Sequence, residues 1–263
     1  MTIDQEQSTN DIPSVDWQGK AISCEVCAHI DRLALGTCAP LSSCVHDRYA
    51  KRIDRFFGTN PGLASQYIDH PYFEVRAVAA KYLDLFQLNR LINDPDETVR
   101  SSVVLRLPPK LLIKMIHDDD REVRIRVALR MELPALNTML NDPDYYVRVV
   151  IARRIAPSML FHLARDTDTS VRQEVARRIG TEWLTMLAND AEESVRLIAI
   201  CRLPAALLPP FRFDSDWRVR LETAERVPVE FLGVLTKDED EIVAATASNR
   251  LNPDLQSENK HGH

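Results

Sequence analysis

The chain repeats one pattern of apolar and polar positions every 24 residues. A Val-Arg pair marks each copy, and in the eighth copy it becomes Val243-Ala244. Eight residues after each valine comes a second position that is always apolar. The earlier valines are Val75, Val99, Val123, Val147, Val171, Val195 and Val219, and the second column is Leu83, Leu107, Met131, Ile155, Ile179, Leu203, Val227 and Leu251. We therefore predict eight repeats over residues 63–254.

Within one repeat, residues 87–110, the pattern predicts a short α-helix. Asp94 is placed to accept backbone N–H groups as the N-cap, and Pro95 loses no hydrogen bond at the first helical position. Pro108 and Pro109 end the helix because neither can donate a backbone hydrogen bond. Between these signals the apolar side chains recur at helical spacing, at Val99, Val103, Val104 and Leu107.

The rest of each repeat carries two apolar side chains three positions apart, a spacing that suits a 3₁₀ helix. These pairs are Leu88/Leu91, Leu112/Met115, Leu136/Met139, Leu160/Leu163, Leu184/Leu187, Leu208/Phe211 and Leu232/Leu235. Neither segment can bury its apolar side alone, so neighbouring repeats must stack. The predicted fold class is all-α, a curved α-solenoid in which α and 3₁₀ helices alternate.

The Leu-x-x-Leu, Asp-Pro-Asp, Val-Arg and Ala-x-Arg elements of residues 63–254 resemble the leucine-rich repeat variant family. This resemblance implies a right-handed α-solenoid superhelix of alternating α and 3₁₀ helices. HEAT repeats share the acidic and Val-Arg signature, but a 24-residue unit leaves no room for their full first helix.

Two arginine columns run through the repeats, one directly after the valine and one from Arg106 to Arg250 before the second apolar position. Such columns could bind nucleic acid or another acidic partner. The first column, however, has an acidic residue four positions upstream, as in Asp96/Arg100, and this spacing predicts pairing within the helix. The second column lacks such a partner, and we expect it to bond the next repeat's Asp or helix C-terminal carbonyls. Intramolecular pairing is favoured, with a partner surface along the second column as the alternative.

Four of the five cysteines lie close together, as Cys24-x₂-Cys27-x₁₀-Cys38-x₅-Cys44. In a reducing compartment this cluster predicts a metal site rather than disulfides. Structural zinc commonly takes two Cys-x-x-Cys pairs, so the wider second pair favours a [4Fe–4S] cluster, with Zn²⁺ as the alternative. The family resemblance implies the same cofactor, because that family has an N-terminal [4Fe–4S] cysteine domain. It implies all four of these cysteines as ligands.

Several residues near the cysteines are secondary candidates. His29 and His46 lie close enough in sequence to be alternative ligands, and we predict that they are bystanders. Cys201 falls within a repeat helix, and we predict a structural role for it. The basic residues after Cys44 would offset the negative charge of a cluster, namely Arg48, Lys51, Arg52 and Arg55.

These patterns divide the chain into four parts. We predict a disordered segment at 1–20, the cysteine module with its linking helix at 21–62, the repeats at 63–254 and a disordered tail at 255–263. No apolar run approaches the roughly 20 residues that span a bilayer, and the N-terminus lacks a signal-peptide pattern, so we expect a cytoplasmic protein that does not enter the membrane. The net charge of −6 gives no general attraction to nucleic acid.

The sequence carries no P-loop, dinucleotide fingerprint, nucleophile elbow or HExxH motif. We therefore expect no enzymatic activity. The leading hypothesis is an interaction scaffold that holds a partner protein on the solenoid surface, with the cluster as a structural clamp or redox-sensitive element. The alternatives are electron transfer or redox chemistry at the cluster, and binding of nucleic acid or another acidic partner along the arginine columns.

Overall fold

The structure, a computed structural model, describes residues 12–252. Within that range the chain is helical and contains no extended strand beyond two isolated bridges. The α-helices are α1 Ile30–Ala34, α2 Ala50–Thr59, α3 Phe73–Ala79, α4 Leu85–Leu88, α5 Glu97–Arg106, α6 Arg121–Arg130, α7 Leu133–Leu136, α8 Tyr145–Arg154, α9 Thr169–Arg178, α10 Thr181–Leu187, α11 Glu193–Arg202, α12 Trp217–Arg226 and α13 Glu241–Leu251. The 3₁₀ helices are Pro61–Tyr67, Asn89–Asn93, Pro109–Met115, Asn137–Met139, Pro157–Leu163, Ala205–Leu207, Pro209–Phe213 and Val229–Lys237.

The chain divides into two compact units, Met1–Glu132 and Leu133–His263. The first unit holds the cysteine module and the first repeats, and the second holds the later repeats. None of the helices within residues 12–252 is both long enough and apolar enough to cross a membrane.

The apolar columns of the repeats form the core. All eight valines from Val75 to Val243 are buried, and so are both members of every apolar pair in the second segment. The second helical column is buried from Leu83 to Val227, whereas Leu251 is exposed at the end of the last described helix. The predicted alternation of α and 3₁₀ helices is confirmed. Three of the second segments depart from a pure 3₁₀ helix: Thr181–Leu187 is an α-helix, and α4 and α7 are short α-helical turns that precede a 3₁₀ turn.

The repeat helices begin two residues later than predicted. In the repeat at residues 87–110, the helix starts at Glu97 and its N-cap is Asp96, whose carboxylate accepts from the backbone N–H of Thr98 at 2.9 Å. The Asp94 carboxylate instead accepts from the backbone N–H of Asp96, also at 2.9 Å, which leaves Pro95 outside the helix. The prediction of Asp94 as N-cap was therefore wrong. Equivalent caps are Asp120, Asp144, Asp168, Asp216 and Asp240.

The first arginine column binds the following repeat rather than its own helix. The Arg76 guanidinium meets the Asp94 carboxylate through two hydrogen bonds, Nε–Oδ2 and Nη2–Oδ1, both of 2.8 Å. It also donates to the carbonyl of His70 at 2.7 Å. The same fork joins Arg100 to Asp118, Arg148 to Asp166, Arg172 to Asp190, Arg196 to Asp214 and Arg220 to Asp238. Intramolecular pairing is confirmed, but the predicted partner was wrong because residues such as Asp96 serve as helix caps.

The second arginine column donates to carbonyls at the C-terminal end of the preceding repeat's helix. Arg250 Nη1, for example, lies 2.7 Å from the Ala224 oxygen and 2.9 Å from the Val227 oxygen. Corresponding bonds come from Arg106, Arg130, Arg178, Arg202 and Arg226. The carbonyls at a helix end lack partners inside the helix, so this column caps one helix from the next repeat. Of the two predicted partners, the carbonyls are correct.

The segment before the cysteines is structured where it is described. The Arg52 side chain is fully buried and donates to the carbonyl of Ile12 at 2.6 Å. The Trp17 ring stacks on Tyr72, with 6.2 Å between ring centroids. Disorder was therefore the wrong prediction for residues 12–20, because a buried cation and an aromatic contact hold them. Residues 1–11 and the predicted tail at 255–263 lie outside the described range.

Candidate metal centre

The four cysteines lie on two turns. Cys24 and Cys27 share the turn before α1, where the Cys27 N–H donates to the Cys24 carbonyl at 3.3 Å. Cys38 and Cys44 flank a tight loop closed by two backbone hydrogen bonds between Ala39 and Ser43, of 2.9 and 2.8 Å. Each pair of cysteines is thus brought together by local backbone structure.

The tight loop contains an unusual backbone conformation. Leu41 has φ of +61°, and within residues 12–252 it is the one non-glycine residue with positive φ. Ala39, Pro40, Leu41 and Ser42 form a turn in which the Ser42 N–H donates to the Ala39 carbonyl at 3.3 Å. A proline at the second position and a positive φ at the third are features of a type II turn, and the third position of such a turn is usually glycine. The loop between Cys38 and Cys44 therefore holds a leucine in a costly conformation.

The two C-terminal cysteines are buried and the two N-terminal ones are half-buried. Cys38 is 7% exposed and Cys44 is 5% exposed. Burial raises the pKa of the Cys38 thiol, and the nearby charges of Cys27 and Cys24 raise it further. Burial likewise raises the pKa of Cys44 to about 12, although the backbone N–H groups of His46 and Asp47 favour its thiolate and oppose this shift. The cysteine side chains are therefore close enough for the charge of one to affect the pKa of another.

This donor set fits an iron–sulfur cluster. Four crowded, partly buried thiolates repel each other, and bound iron would offset that repulsion. Residues 12–252 contain no group of three His, Cys, Asp or Glu side chains gathered around a position for a single metal ion. A [4Fe–4S] cluster asks for a different arrangement, since each of its four irons takes one cysteine. The residues Cys24, Cys27, Cys38 and Cys44 remain the predicted ligands.

Polar hydrogens near the cysteines could support bound sulfur. The backbone N–H of His29 donates to the Cys27 sulfur at 3.4 Å. The Ser43 hydroxyl, next to Cys44, is buried and has no hydrogen-bond partner among the atoms of the described chain. Buried hydroxyl groups without a partner are uncommon, and a sulfur acceptor would satisfy this one.

The histidines near the cysteines pack with aromatic residues of α2 and of the first repeat. His29 is buried, and its Nε2 hydrogen-bonds to the Tyr67 hydroxyl. Its ring lies 5.3 Å from Phe56 and 6.1 Å from His46, measured between centroids. Burial lowers the pKa of His29 and of His46. Sequence reasoning missed Tyr67, although a tyrosine in a column that otherwise holds leucine, methionine or phenylalanine was a visible signal.

The basic residues after Cys44 do not act as one group. Arg52 pairs with Asp47 through Nη1 and Oδ2 at 2.9 Å, and neither side chain is exposed. The Asp47 carboxylate also accepts from the Ser14 hydroxyl at 2.9 Å. The expectation that Arg52 offsets cluster charge was wrong, because its charge is balanced by Asp47, while Arg48 and Lys51 are exposed.

A cavity of about 330 Å³ opens beside the half-buried Cys27. Its walls include Trp17, Cys27, His46 and His70. Cys201 lies elsewhere, in α11, and is exposed, so it does not fill a core position as the predicted structural role would require.

The later repeats expose large apolar side chains at one repeat position. Trp183, Leu207 and Phe231 are 24 residues apart and are 41, 47 and 37% exposed. The Trp183 ring stacks on Phe161, with 5.7 Å between centroids. Arg212 lies over the ring of Phe231 at 5.7 Å. We name Phe161, Trp183, Leu207 and Phe231 the apolar column; the sequence analysis did not identify it.

Known proteins resemble the chain over its cysteine module and over its repeats. Residues 14–66, which include the four clustered cysteines, match the family model described as "LRV protein FeS4 cluster". A leucine-rich repeat variant of known structure is 41% identical, with a TM-score of 0.80 over 88% of this chain and 99% of that one. A 27.7 kDa uncharacterized protein in the nifB 3′ region of Rhodobacter capsulatus is 50% identical over 94 residues. That match spans 36% of this chain and 38% of the relative's length.

Proposed function

Because this chain belongs to the leucine-rich repeat variant family and carries a [4Fe–4S] cluster domain before its repeats, we propose that it is a protein-interaction scaffold. In this proposal the repeats hold a partner protein and take no part in catalysis. The cluster clamps the N-terminal end of the repeats.

The observation that carries this proposal is the apolar column of the second unit. Trp183, Leu207 and Phe231 are exposed at one position of three consecutive repeats, Phe161 stacks on Trp183, and repeat proteins use such extended surfaces to bind partners. Tryptophan and phenylalanine are also the side chains that contribute most when an interface buries them. Clustered exposed apolar residues on a soluble protein mark an interaction site more often than chance.

Site-specific photo-crosslinking in the native host tests the proposal. A photoreactive phenylalanine analogue at Trp183, Leu207 or Phe231 is expected to give one protein adduct of the same mass from all three positions. The same analogue at Glu225, an exposed polar position of α12, serves as the control. An equal adduct from Glu225, or none from the column, would contradict the scaffold role.

A second candidate function, electron transfer at the cluster, is favoured by the half-buried Cys24 and Cys27. The partial exposure of these two predicted ligands, together with the cavity beside Cys27, would give a redox partner or a small reductant access to the cluster. A redox titration followed by circular dichroism separates the two candidates. Reversible reduction with unchanged helix content supports electron transfer, whereas a clamp resists reduction and loses helix content when a chelator removes the iron.

The arginine columns give no support to nucleic-acid binding. The guanidinium groups of the first column are mostly buried and bind both oxygens of an Asp carboxylate, so they present no free fork to a phosphate. Those of the second column are engaged by carbonyl oxygens. We therefore do not propose this function.

A further inference from the structure

Tyr67 occupies a repeat position that otherwise holds an apolar side chain. The equivalent residues in the later repeats are Leu91, Met115, Met139, Leu163, Leu187, Phe211 and Leu235. Tyr67 is buried like them, and its ring meets Phe57 edge to face with 5.5 Å between centroids. The packing role of the column is thus kept, and the hydroxyl is an addition that packing does not require.

The hydroxyl reaches into the cysteine module. It hydrogen-bonds to His29 Nε2, and the backbone N–H of His29 donates to the Cys27 sulfur. Burial and the nearby charges of Cys27, Cys44 and Cys38 raise the pKa of the Tyr67 phenol.

The first repeat holds Tyr67 in place. Tyr67 ends the 3₁₀ helix Pro61–Tyr67, and its carbonyl accepts from the His70 N–H at 3.3 Å. The His70 carbonyl in turn accepts from Arg76, the first member of the arginine column, which is itself fixed by Asp94. One chain of hydrogen bonds therefore runs from a cysteine to the first Arg–Asp pair of the repeats.

We propose that Tyr67 is a positioning residue that lets the first repeat set the reduction potential of the cluster. The hydroxyl fixes the His29 imidazole, and this fixes the His29 backbone N–H against the Cys27 sulfur. Hydrogen bonds to cluster sulfur stabilise the reduced, more negative form and raise the potential.

The test is the reduction potential of the reconstituted full-length protein with Tyr67→Phe. This change removes one oxygen atom and leaves the ring packed on Phe57. The cluster is expected to bind in wild-type amount, the potential to shift downward, and the electron paramagnetic resonance spectrum of the reduced cluster to change.

Tyr82→Phe is the matched control. The Tyr82 hydroxyl also joins the first repeat to the cysteine module, by bonds to the Asp54 carbonyl and carboxylate at 3.2 Å, and its ring also lies near Phe57. These bonds lead to Asp54 and not to a cysteine ligand, so Tyr82→Phe is expected to alter thermal stability but not potential. An unchanged potential in Tyr67→Phe, or an equal shift in Tyr82→Phe, would overturn the proposal. So would failure of Tyr67→Phe alone to take up the cluster, because the hydroxyl would then serve assembly.

Discussion

Residues 21–44 of the cysteine module and the repeats differ in what they bury. Between residues 21 and 44 the buried apolar residues are Cys38 and Cys44, and α1 buries none of its side chains. Large apolar side chains of the same stretch are exposed, namely Val26, Ile30, Leu33, Leu35 and Leu41. Each repeat, in contrast, buries the valine of its helix and the apolar pair of its second segment, and binds a neighbour through arginines.

The difference indicates two sources of stability. The repeats are held by apolar burial and by charge pairs between neighbours, both of which the polypeptide supplies itself. Residues 21–44 bury little apolar surface that could offset the entropy of their turns, and under the proposed clamp role their fold depends on the bound cluster. Changes that remove the cluster should therefore destabilise residues 21–44, and changes to the Arg–Asp pairs should destabilise the repeats.

The largest expected effect comes from Cys44→Ser. Cys44 is buried, and replacing its sulfur removes a predicted ligand from the least accessible part of the site. We expect complete loss of the visible absorption of the cluster and unfolding of residues 21–44, measured by absorption and by proteolysis. Cys201→Ser, at an exposed cysteine of α11, is the control and should keep both colour and protease resistance. A brown, resistant Cys44→Ser protein would refute the ligand assignment.

Breaking an Arg–Asp pair should destabilise the repeats strongly. Asp166→Ala leaves the mostly buried Arg148 without its partner, which costs about 3–5 kcal/mol of unfolding free energy. Asp168→Ala, two residues later, removes only a helix N-cap and should cost about 1 kcal/mol. Urea unfolding of the two variants measures the difference. Equal costs would mean that the charge pairs do not hold neighbouring repeats together.

The same pairs predict loss of stability in acid. Burial raises the pKa of Asp166, but the Arg148 guanidinium and the Asp168 N–H outweigh it, and the net pKa lies below the usual value. Asp238 shifts in the same direction, mainly because of its hydrogen bond from Arg220. A carboxyl with a lowered folded pKa stabilises the protein above its unfolded pKa, about 3.9, and this contribution is lost as the pH falls through the folded value.

We therefore expect the unfolding free energy of the repeats to change little between neutral pH and about pH 5 and to fall steeply below about pH 4. Urea unfolding at a series of pH values measures this dependence. Asp166→Asn should unfold more easily at neutral pH and show a shallower fall in acid. An identical pH dependence in the variant would exclude Asp166 as one of the responsible groups.

The smallest effect is expected at Leu41. Glycine removes the roughly 1–2 kcal/mol cost of positive φ but adds a backbone-entropy cost of about 0.5–1 kcal/mol, so Leu41→Gly should be neutral or slightly stabilising. Leu33→Gly is the control, because Leu33 has similar exposure and lies in α1, where glycine costs about 1 kcal/mol. Thermal unfolding of the cluster-bound proteins should separate the two variants. Equal destabilisation would contradict a strained turn at Leu41.

The sequence was sufficient to predict the repeated part of the fold. The alternating helices follow from the 24-residue period, the apolar columns and the Asp and Pro signals. The resemblance to the leucine-rich repeat variant family, with its [4Fe–4S] cofactor, is also confirmed. It was not sufficient to predict which acid each arginine binds. Arg100 could pair with Asp96 in its own repeat or with Asp118 in the next one. Asp96 caps the N-terminus of the helix, so Arg100 binds Asp118.

The cysteine module was less predictable because its contacts are not periodic. Nothing in the order of residues places Arg52 on the Ile12 carbonyl or Leu41 at positive φ, since these depend on how a short irregular chain closes on itself. Tyr67 is visible in the sequence as an exception within a regular apolar column. Nothing in the sequence, however, indicates that its hydroxyl bonds to His29.

Hydrogen exchange with mass spectrometry, before and after anaerobic removal of iron by a chelator, tests most directly whether the two regions have separate sources of stability. The account predicts that amide protection disappears from residues 21–44 on iron removal, while the helices from Tyr145–Arg154 to Trp217–Arg226 keep theirs. Retained protection in residues 21–44 of the iron-free protein would contradict it, because this stretch would then fold without the cluster.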